Sequence, residues 1–375
     1  MSLPNILSEC ARLAAGAGAG ALASVARRHG SLPMSATAKM LVTAGGARVG
    51  TVGGGCLEAE IIERALDVIE RRVPAVSEHS LNAELAGDYG LTCGGTAVML
   101  IEPVFPDDTL AAVYAAAATD VARGDRGVMA TALDWSDGPA KLYGSHRTSQ
   151  KIGDTEIVFD LDPAAPYTRV FGQGPAALHA ALTAYGDDDE TPSFVSDMLV
   201  EPMRGKPRLA VFGGGHVGAR IAEVAALAGW SVTVVDDRAD FADARRLPFA
   251  ERTIVCDFHD VERAVQLDAH SYAVIATRGH QHDVVLASQL APLGLHYLGM
   301  LGSRRKVALT AKMLRQWDVT QEAIDAMHAP VGLAIGADTP EEIAVSVVAE
   351  MIAVRRSGTR RRGAVDTAAR SESAT

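Results

Sequence analysis

The sequence predicts an α/β protein, with a doubly wound parallel sheet in its C-terminal part and a mixed α/β domain before it. Three observations predict this. Beyond residue 204, strand-like runs alternate with helical stretches, the pattern of a parallel sheet with crossover helices. A glycine-rich loop, GGGHVG (213–218), lies between one of those strands and a helix. Ahead of both, EPMRGKPR (201–208) gathers two prolines, a glycine and four charged residues, which suits a linker or domain boundary. The expected division is 1–203, 204–356 and a disordered tail over 357–375, where no apolar period continues.

Composition narrows the function classes. The chain has 375 residues, 48% apolar and 22% charged, enough for two sizeable cores. Its formal net charge of -11 gives a nucleic-acid partner no electrostatic support. No apolar run is long enough for a membrane span. LAAGAGAGALASVA (13–26) follows Glu9 rather than a basic segment, so it reads as part of a helix over 5–28 and not as a signal peptide. The four cysteines, Cys10, Cys56, Cys93 and Cys256, form no C-x-x-C pair and no zinc spacing, which suits a reducing cytoplasm. No internal repeat stands out.

In the first part, AKMLVTA (38–44) and ARVGTVG (47–53) read as a hairpin around Gly45-Gly46. In LEAEIIERALDVIERR (57–72), Leu57, Ile61, Ile62, Leu66 and Ile69 form the stripe of an amphipathic helix. TAVMLIEPV (96–104) reads as a buried strand and 108–122 as a helix. GVMATALDW, AKLYGS, TEIVFDLD and SFVSDMLV follow as β-like runs, and GDDDE (186–190) as an acidic loop. In the second part the strand-like runs are RLAVFGG, SVTVVDD, RTIVCD, SYAVIAT, HYLGML and VGLAIG. Thr339, Pro340 and Glu342 are placed to form a capping box for the last helix.

Two kinds of site follow. Gly213, Gly215, His216 and Gly218 sit between strand RLAVF and a helix, so the loop is Rossmann-like. Its glycines permit a tight turn and close approach of a pyrophosphate to the helix start. Asp236, at the end of the next strand, suits a ribose hydroxyl, whereas Arg238 suits a 2′-phosphate, so NAD and NADP both stay open. Ser303, Arg304 and Arg305 open a later helix as an anion seat or as a solvated basic face. His280 and His282 read as loop histidines near a pocket, since no further ligand supports a metal site. In the first part, Gly53, Gly54 and Gly55 lead into Cys56 at a helix start, a setting that favours a thiolate and suits a reactive thiol or a soft-metal ligand. Cys93 beside Gly94 and Gly95 offers a second such loop. The alternative for each cysteine is a small buried hydrophobe.

Most of the chain resembles the XdhC/CoxI family, the accessory proteins of xanthine dehydrogenase and related molybdenum hydroxylases. The resemblance is carried by AKMLV, GGGCLEAEI and CGGTAVMLIEP, then by PRLAVFGGGHVG, VVDDRADFADARRLPFAE, YLGMLGSRRK and HAPVGLAIGADTPEEIA, in that order. It implies a cytoplasmic carrier that binds the molybdenum cofactor, supports its sulfuration with a cysteine desulfurase and hands it to the apo-hydroxylase. Cys56 and Cys93 are then the residues implied to contact the cofactor or its molybdenum. The chain departs from the family at GSLPMSATAKM (30–40), which lacks an arginine and a glycine common there, and at Gly53, where a serine is common. A homodimer is the expected assembly. The competing reading from the residues alone is an NAD(P)-dependent oxidoreductase built on the glycine loop.

Overall fold

The computed structural model describes residues 2–32, 34–80, 95–145, 149–152, 155–158, 169–184 and 191–357. The chain divides into two compact units, Met1–Gly205 and Lys206–Thr375. The readings made for the acidic loop 186–190, for the tail beyond 357, and for Cys93 and Gly94 lie outside the described residues.

The first unit runs α1 (Leu3–Arg12), β1 (Gly20–Gly30), β2 (Lys39–Thr43), β3 (Arg48–Gly50), α2 (Gly55–Arg71), β4 (Ala75–Ser80) and β5 (Gly95–Val104). It continues with α3 (Asp108–Ala122), β6 (Arg126–Ala132), β7 (Lys141–Ser145), β8 (Ser149–Ile152), β9 (Thr155–Val158), β10 (Arg169–Gln173), α4 (Ala176–Ala184), β11 (Ser193–Val195) and β12 (Met198–Arg204). Two five-stranded antiparallel sheets result, ordered β3-β2-β1-β5-β4 and β10-β7-β6-β12-β11. The orders superimpose when β1, β2, β3, β4 and β5 are matched with β6, β7, β10, β11 and β12. The unit is therefore one motif, αβββαββ, used twice, with the β8–β9 hairpin inserted in the second copy. The sequence reading found no repeat, and the structure corrects it.

Side chains confirm the match. Register pairs Ser24 with Lys39 in the first half and Thr131 with Lys141 in the second. Each lysine donates to its hydroxyl partner, at 2.8 Å and 2.6 Å. Each lysine then crosses to the other half: Lys39 pairs with Glu201 on β12, and Lys141 with Glu102 on β5 at 2.7 and 2.8 Å. All four charged side chains are at most 2% exposed. The two glutamates sit in MLIEPV and MLVEPM. Gly50 and Gly172 are also equivalent. Both have positive φ, and a Cβ would meet the carbonyl of Lys39 or of Lys141 at 2.4 or 2.1 Å. Burying an ion is costly unless it is paired and hydrogen-bonded, a condition that both lysines meet.

Helices α1 and α3 pack together against Leu22 and Leu41 of one sheet and Met129, Tyr143 and Met203 of the other. The outer faces are covered by α2, through Leu57, Ile61, Ala65 and Val68, and by α4, through Leu178, Ala181 and Leu182. Leu66, expected on the buried stripe of α2, is 44% exposed, and Ala65 and Val68 carry the contact instead. The helix expected over 5–28 stops early. Gly16 and Gly18 take φ of 112° and 135°, and Gly20–Gly30 is the central strand of its sheet. Small residues of that strand are buried on both faces, so the segment lacks the alternation that marks a half-exposed strand. EPMR, expected as linker, is instead strand β12, with Glu201 in the core. SFVSDMLV is two strands joined by a turn.

The second unit holds a five-stranded parallel sheet, β15-β14-β13-β16-β17. Its strands are β13 (Arg208–Phe212), β14 (Ser231–Asp236), β15 (Arg252–Val255), β16 (Tyr272–Ile275) and β17 (Tyr297–Met300). Between and after them come α5 (His216–Leu227), α6 (Val261–Ala264), α7 (His280–Leu290), α8 (Arg304–Gln316), α9 (Gln321–Asp325) and α10 (Pro340–Ser357). One face packs on α5 and α10, through Ile221, Ala225 and Val347. The other packs on α7 and α8, through Leu286, Leu290 and Leu314. This is the expected doubly wound sheet. VGLAIG is not a strand of it, because Gly332 and Gly336 take positive φ and turn Leu333 and Ile335 outward.

Candidate functional sites

In the first unit, the connection from β3 to α2 is the unusual element. Gly53, Gly54 and Gly55 take φ of 119°, 79° and 66°, three left-handed residues in a row. Only glycine visits that region without strain. Glu58, one turn into the helix, fixes the loop. Its Oε1 accepts from the Thr51 hydroxyl at 2.5 Å, from the Gly54 N–H at 3.1 Å and from the Val52 N–H at 3.2 Å. Burial pushes the Glu58 carboxyl up, but these donors and Arg48 outweigh it and hold the group below the ordinary carboxylate range. Cys56 falls in the first turn of α2, where free backbone N–H groups favour negative charge.

A cleft of about 470 Å³ opens beside the loop, lined among others by Met34, Ser35, Thr37, Thr51, Gly53 and Gly54. It combines hydroxyls, a thioether and exposed backbone. The internal repeat supplies a control for this loop. In the second half the equivalent connection reads Gly174-Pro175-Ala176-Ala177-Leu178-His179, aligned through the buried pairs Leu57/Leu178 and Ile61/Leu182. Cys56 there is Ala177, and Glu58 is His179. The scaffold makes the same strand-to-helix connection without three glycines, a thiol or the clamping carboxylate, so packing does not require them. Gly95, by contrast, answers to packing: at the start of β5 its Cβ would meet the His29 carbonyl at 2.6 Å.

In the second unit, a cavity of about 370 Å³ lies at the C-terminal ends of β13, β14, β16 and β17. From β13 the sheet grows one way to β14 and the other way to β16. Ligands of open α/β sheets bind at this reversal. Gly213, Gly215, His216 and Asp236 line the cavity together, as the sequence places them. The glycines divide the work. A Cβ on Gly213 would meet the Ala276 carbonyl at 2.4 Å, and one on Gly218 the Gly213 carbonyl at 1.8 Å, whereas one on Gly215 would meet nothing within 4 Å. The first and last permit close packing, and the middle one leaves backbone open to a ligand.

Arg238, Phe241, Phe258, Thr277 and Arg278 also line it. The phenylalanines carry no sequence signal beyond their place after strand ends. Arg278 forks onto Asp237 at 2.6 and 2.8 Å, and this hydrogen bond brings the Asp237 carboxyl down to about 2. Ser303 caps α8 by accepting from the Lys306 N–H at 3.3 Å. Arg304 and Arg305 are exposed on the same turn, and none of the three lines the cavity. Lys306 instead pairs with the buried Asp283. His282 packs edge-on against Phe258 at 5.3 Å, and His280 lies 3.5 Å from the Thr310 hydroxyl. Cys10 is fully buried and Cys256 partly so, and burial raises both thiols above their ordinary range.

A duplicated αβββαββ unit followed by a Rossmann unit defines the class of protein. Residues 13–79 match the family described as the XdhC and CoxI family, and residues 209–351 match the XdhC Rossmann domain. The chain belongs to the XdhC/CoxI family. It is 28% identical over 339 residues to a Bacillus subtilis protein named as a probable xanthine dehydrogenase subunit, covering 89% of this chain and 93% of that one. It is 26% identical to the Escherichia coli uncharacterized protein YqeB over 94% of this chain, but spans about half (47%) of that relative. A crystal structure from Bacillus halodurans, described as a xanthine dehydrogenase, superimposes with a TM-score of 0.71 at 25% identity, covering 95% of this chain and 96% of that one.

Proposed function

We propose that this chain is an accessory protein that binds the molybdenum cofactor in its first unit, supports its sulfuration with a cysteine desulfurase, and delivers it to a xanthine dehydrogenase-like apo-hydroxylase. The observation that carries the reading is the Gly53-Gly54-Gly55-Cys56 turn, present in only one of two equivalent connections and set beside a cleft that mixes apolar and hydroxyl-bearing side chains. The relatives named for xanthine dehydrogenase support the choice of partner.

The residues present suit such a group. A thiol at a helix start is a soft ligand for molybdenum, and Gly53 and Gly54 let backbone approach a bulky, phosphate-bearing pterin. Ser35 and Thr37 offer hydroxyls to its polar edge. When bound, the cofactor supplies the metal centre that the hydroxylase later uses. The chain's own task is to hold it and shield it from water. Cys93 has the same proposed role on the strength of its motif alone.

The test uses protein purified without air from cells that make the cofactor. Pterin is released by oxidation and measured by fluorescence, and molybdenum by mass spectrometry. Near-stoichiometric pterin that is lost in Cys56→Ser supports the reading. Retention unchanged in that variant removes Cys56 from the site. Absence of pterin from the wild-type protein, under conditions where a known carrier keeps it, overturns the reading.

A further inference from the structure

Among the described residues, the glycine-loop cavity of the second unit is lined by no free carboxylate of the kind that reads a ribose diol. A ribose-reading acid needs unspent lone pairs that face the ligand. Asp236 is at the expected post, but its oxygens are taken. Oδ1 accepts from the Arg238 N–H at 3.1 Å and from its Nε at 2.9 Å, and Oδ2 accepts from the Gly214 N–H at 2.8 Å and from Arg238 Nη2 at 3.2 Å. A carboxylate offers about four lone-pair positions, and these donors fill them. The side chain is also only 1% exposed.

What Asp236 presents to the cavity is a guanidinium. Arg238 lines the cavity, is 33% exposed, and lies over the Phe241 ring at 3.5 Å. Carboxylate on one edge and aromatic ring on one face fix its position, which leaves Nη1 as the edge for a ligand. Arg246 lies over the same ring at 4.7 Å, and Arg278 lines the opposite strand end. A free acid at this post would repel a phosphate on the ribose. Here the charge of Asp236 is matched by Arg238 and that of Asp237 by Arg278. The open backbone at Gly215 and the start of α5 provide the seat for a pyrophosphate.

We propose that this cavity binds a dinucleotide that carries a phosphate on its adenosine ribose, of the NADP(H) class, and that Arg238 is the residue that selects it over the unphosphorylated form. Asp236 is a positioning residue that orients Arg238. This site is independent of the cofactor reading for the first unit.

The test uses the full chain made in cells unable to produce molybdenum cofactor, so that ligands of the first unit do not enter. NADPH and NADH are titrated by calorimetry, with adenosine 2′,5′-bisphosphate and adenosine 5′-monophosphate as fragments. NADPH is expected to bind about tenfold or more tightly than NADH, the scale of a charge-assisted contact. The bisphosphate fragment is expected to outcompete the monophosphate by a similar factor. Arg238→Gln, checked for folding by circular dichroism, should bring the two dinucleotides close to equal affinity. NADH binding as tightly as NADPH, or neither binding at millimolar concentration, overturns the proposal. The wild-type fragment comparison decides the matter even where the variant does not fold.

Discussion

The two halves of the first unit share strand order, two lysine–glutamate crossings and the positive-φ glycine beneath each lysine, yet differ in one loop. Where the first half has Gly53-Gly54-Gly55-Cys56, the second has Gly174-Pro175-Ala176-Ala177. The difference separates what the fold requires from what it merely carries. Residues kept in both copies answer to packing and charge. The glycine-cysteine turn occurs in one copy, and a structural need common to both does not explain it. The comparison raises Cys56 above Cys10, which is fully buried, and above Cys256, which is partly buried and whose thiol burial raises above its ordinary range.

The comparison is sharpened first by its shared part. Lys39→Met and Lys141→Met each leave a buried glutamate without its partner, and each should lower stability by about 3–5 kcal/mol in denaturant unfolding. Similar losses would make the two halves equivalent scaffolds. A loss near zero for one alone would break the equivalence. Next comes the part that differs. Cys56→Ser should lower pterin retention at least about tenfold, a loss on the scale of one strong contact. Ala177→Cys, at the matching position, should add no second equivalent of pterin or molybdenum.

Glu58 tests how the loop is held. Its depressed carboxyl contributes loop order that is fully present above the ordinary carboxylate value of about 4.3. That order is lost as pH falls through the lower value of the folded state. Protection of the Gly54 amide, taken relative to its intrinsic exchange rate at each pH, should therefore fall in acid, and Glu58→Gln should lower it at neutral pH and flatten the dependence. The smallest effect concerns the helix starts. Asp107 caps α3 by accepting from the Leu110 N–H at 3.0 Å, whereas Ser2 makes no side-chain cap on α1. Asp107→Ala should cost about 1 kcal/mol and Ser2→Ala close to none. Equal losses would show that α1 and α3 start alike in solution.

Much of the second unit was legible in the sequence, because a parallel sheet writes itself as alternating apolar runs and helices with a glycine loop at the switch point. The capping box at Thr339 and Glu342 forms as read, with reciprocal bonds of 3.1 and 3.2 Å. The first unit was harder. Strand β1 is built of alanines and other small residues buried on both faces, a composition that imitates a helix. The repeat is faint in the sequence because the equivalent positions that share identity, such as Lys39/Lys141, Gly50/Gly172 and Glu102/Glu201, are few and far apart. Lys39 finds Glu201 across 162 residues, and no local period records such a partner. The occupancy of Asp236 was likewise hidden. Its position after β14 follows from the pattern, but two of the four donors around it depend on how the Arg238 side chain turns back.

The reciprocal crossings have a consequence for how the chain is born. When the ribosome has finished the first half, Lys39 has the Ser24 hydroxyl but not its carboxylate partner, because Glu201 is still to be made, and Glu102 waits for Lys141. At about 5–20 residues per second, the stretch from Glu102 to Glu201 takes roughly 5–20 s to synthesise. Until Glu201 is made, the Lys39 ammonium lacks the carboxylate it pairs with in the folded unit. Both buried pairs join one copy of the motif to the other, so neither can form within the first copy alone.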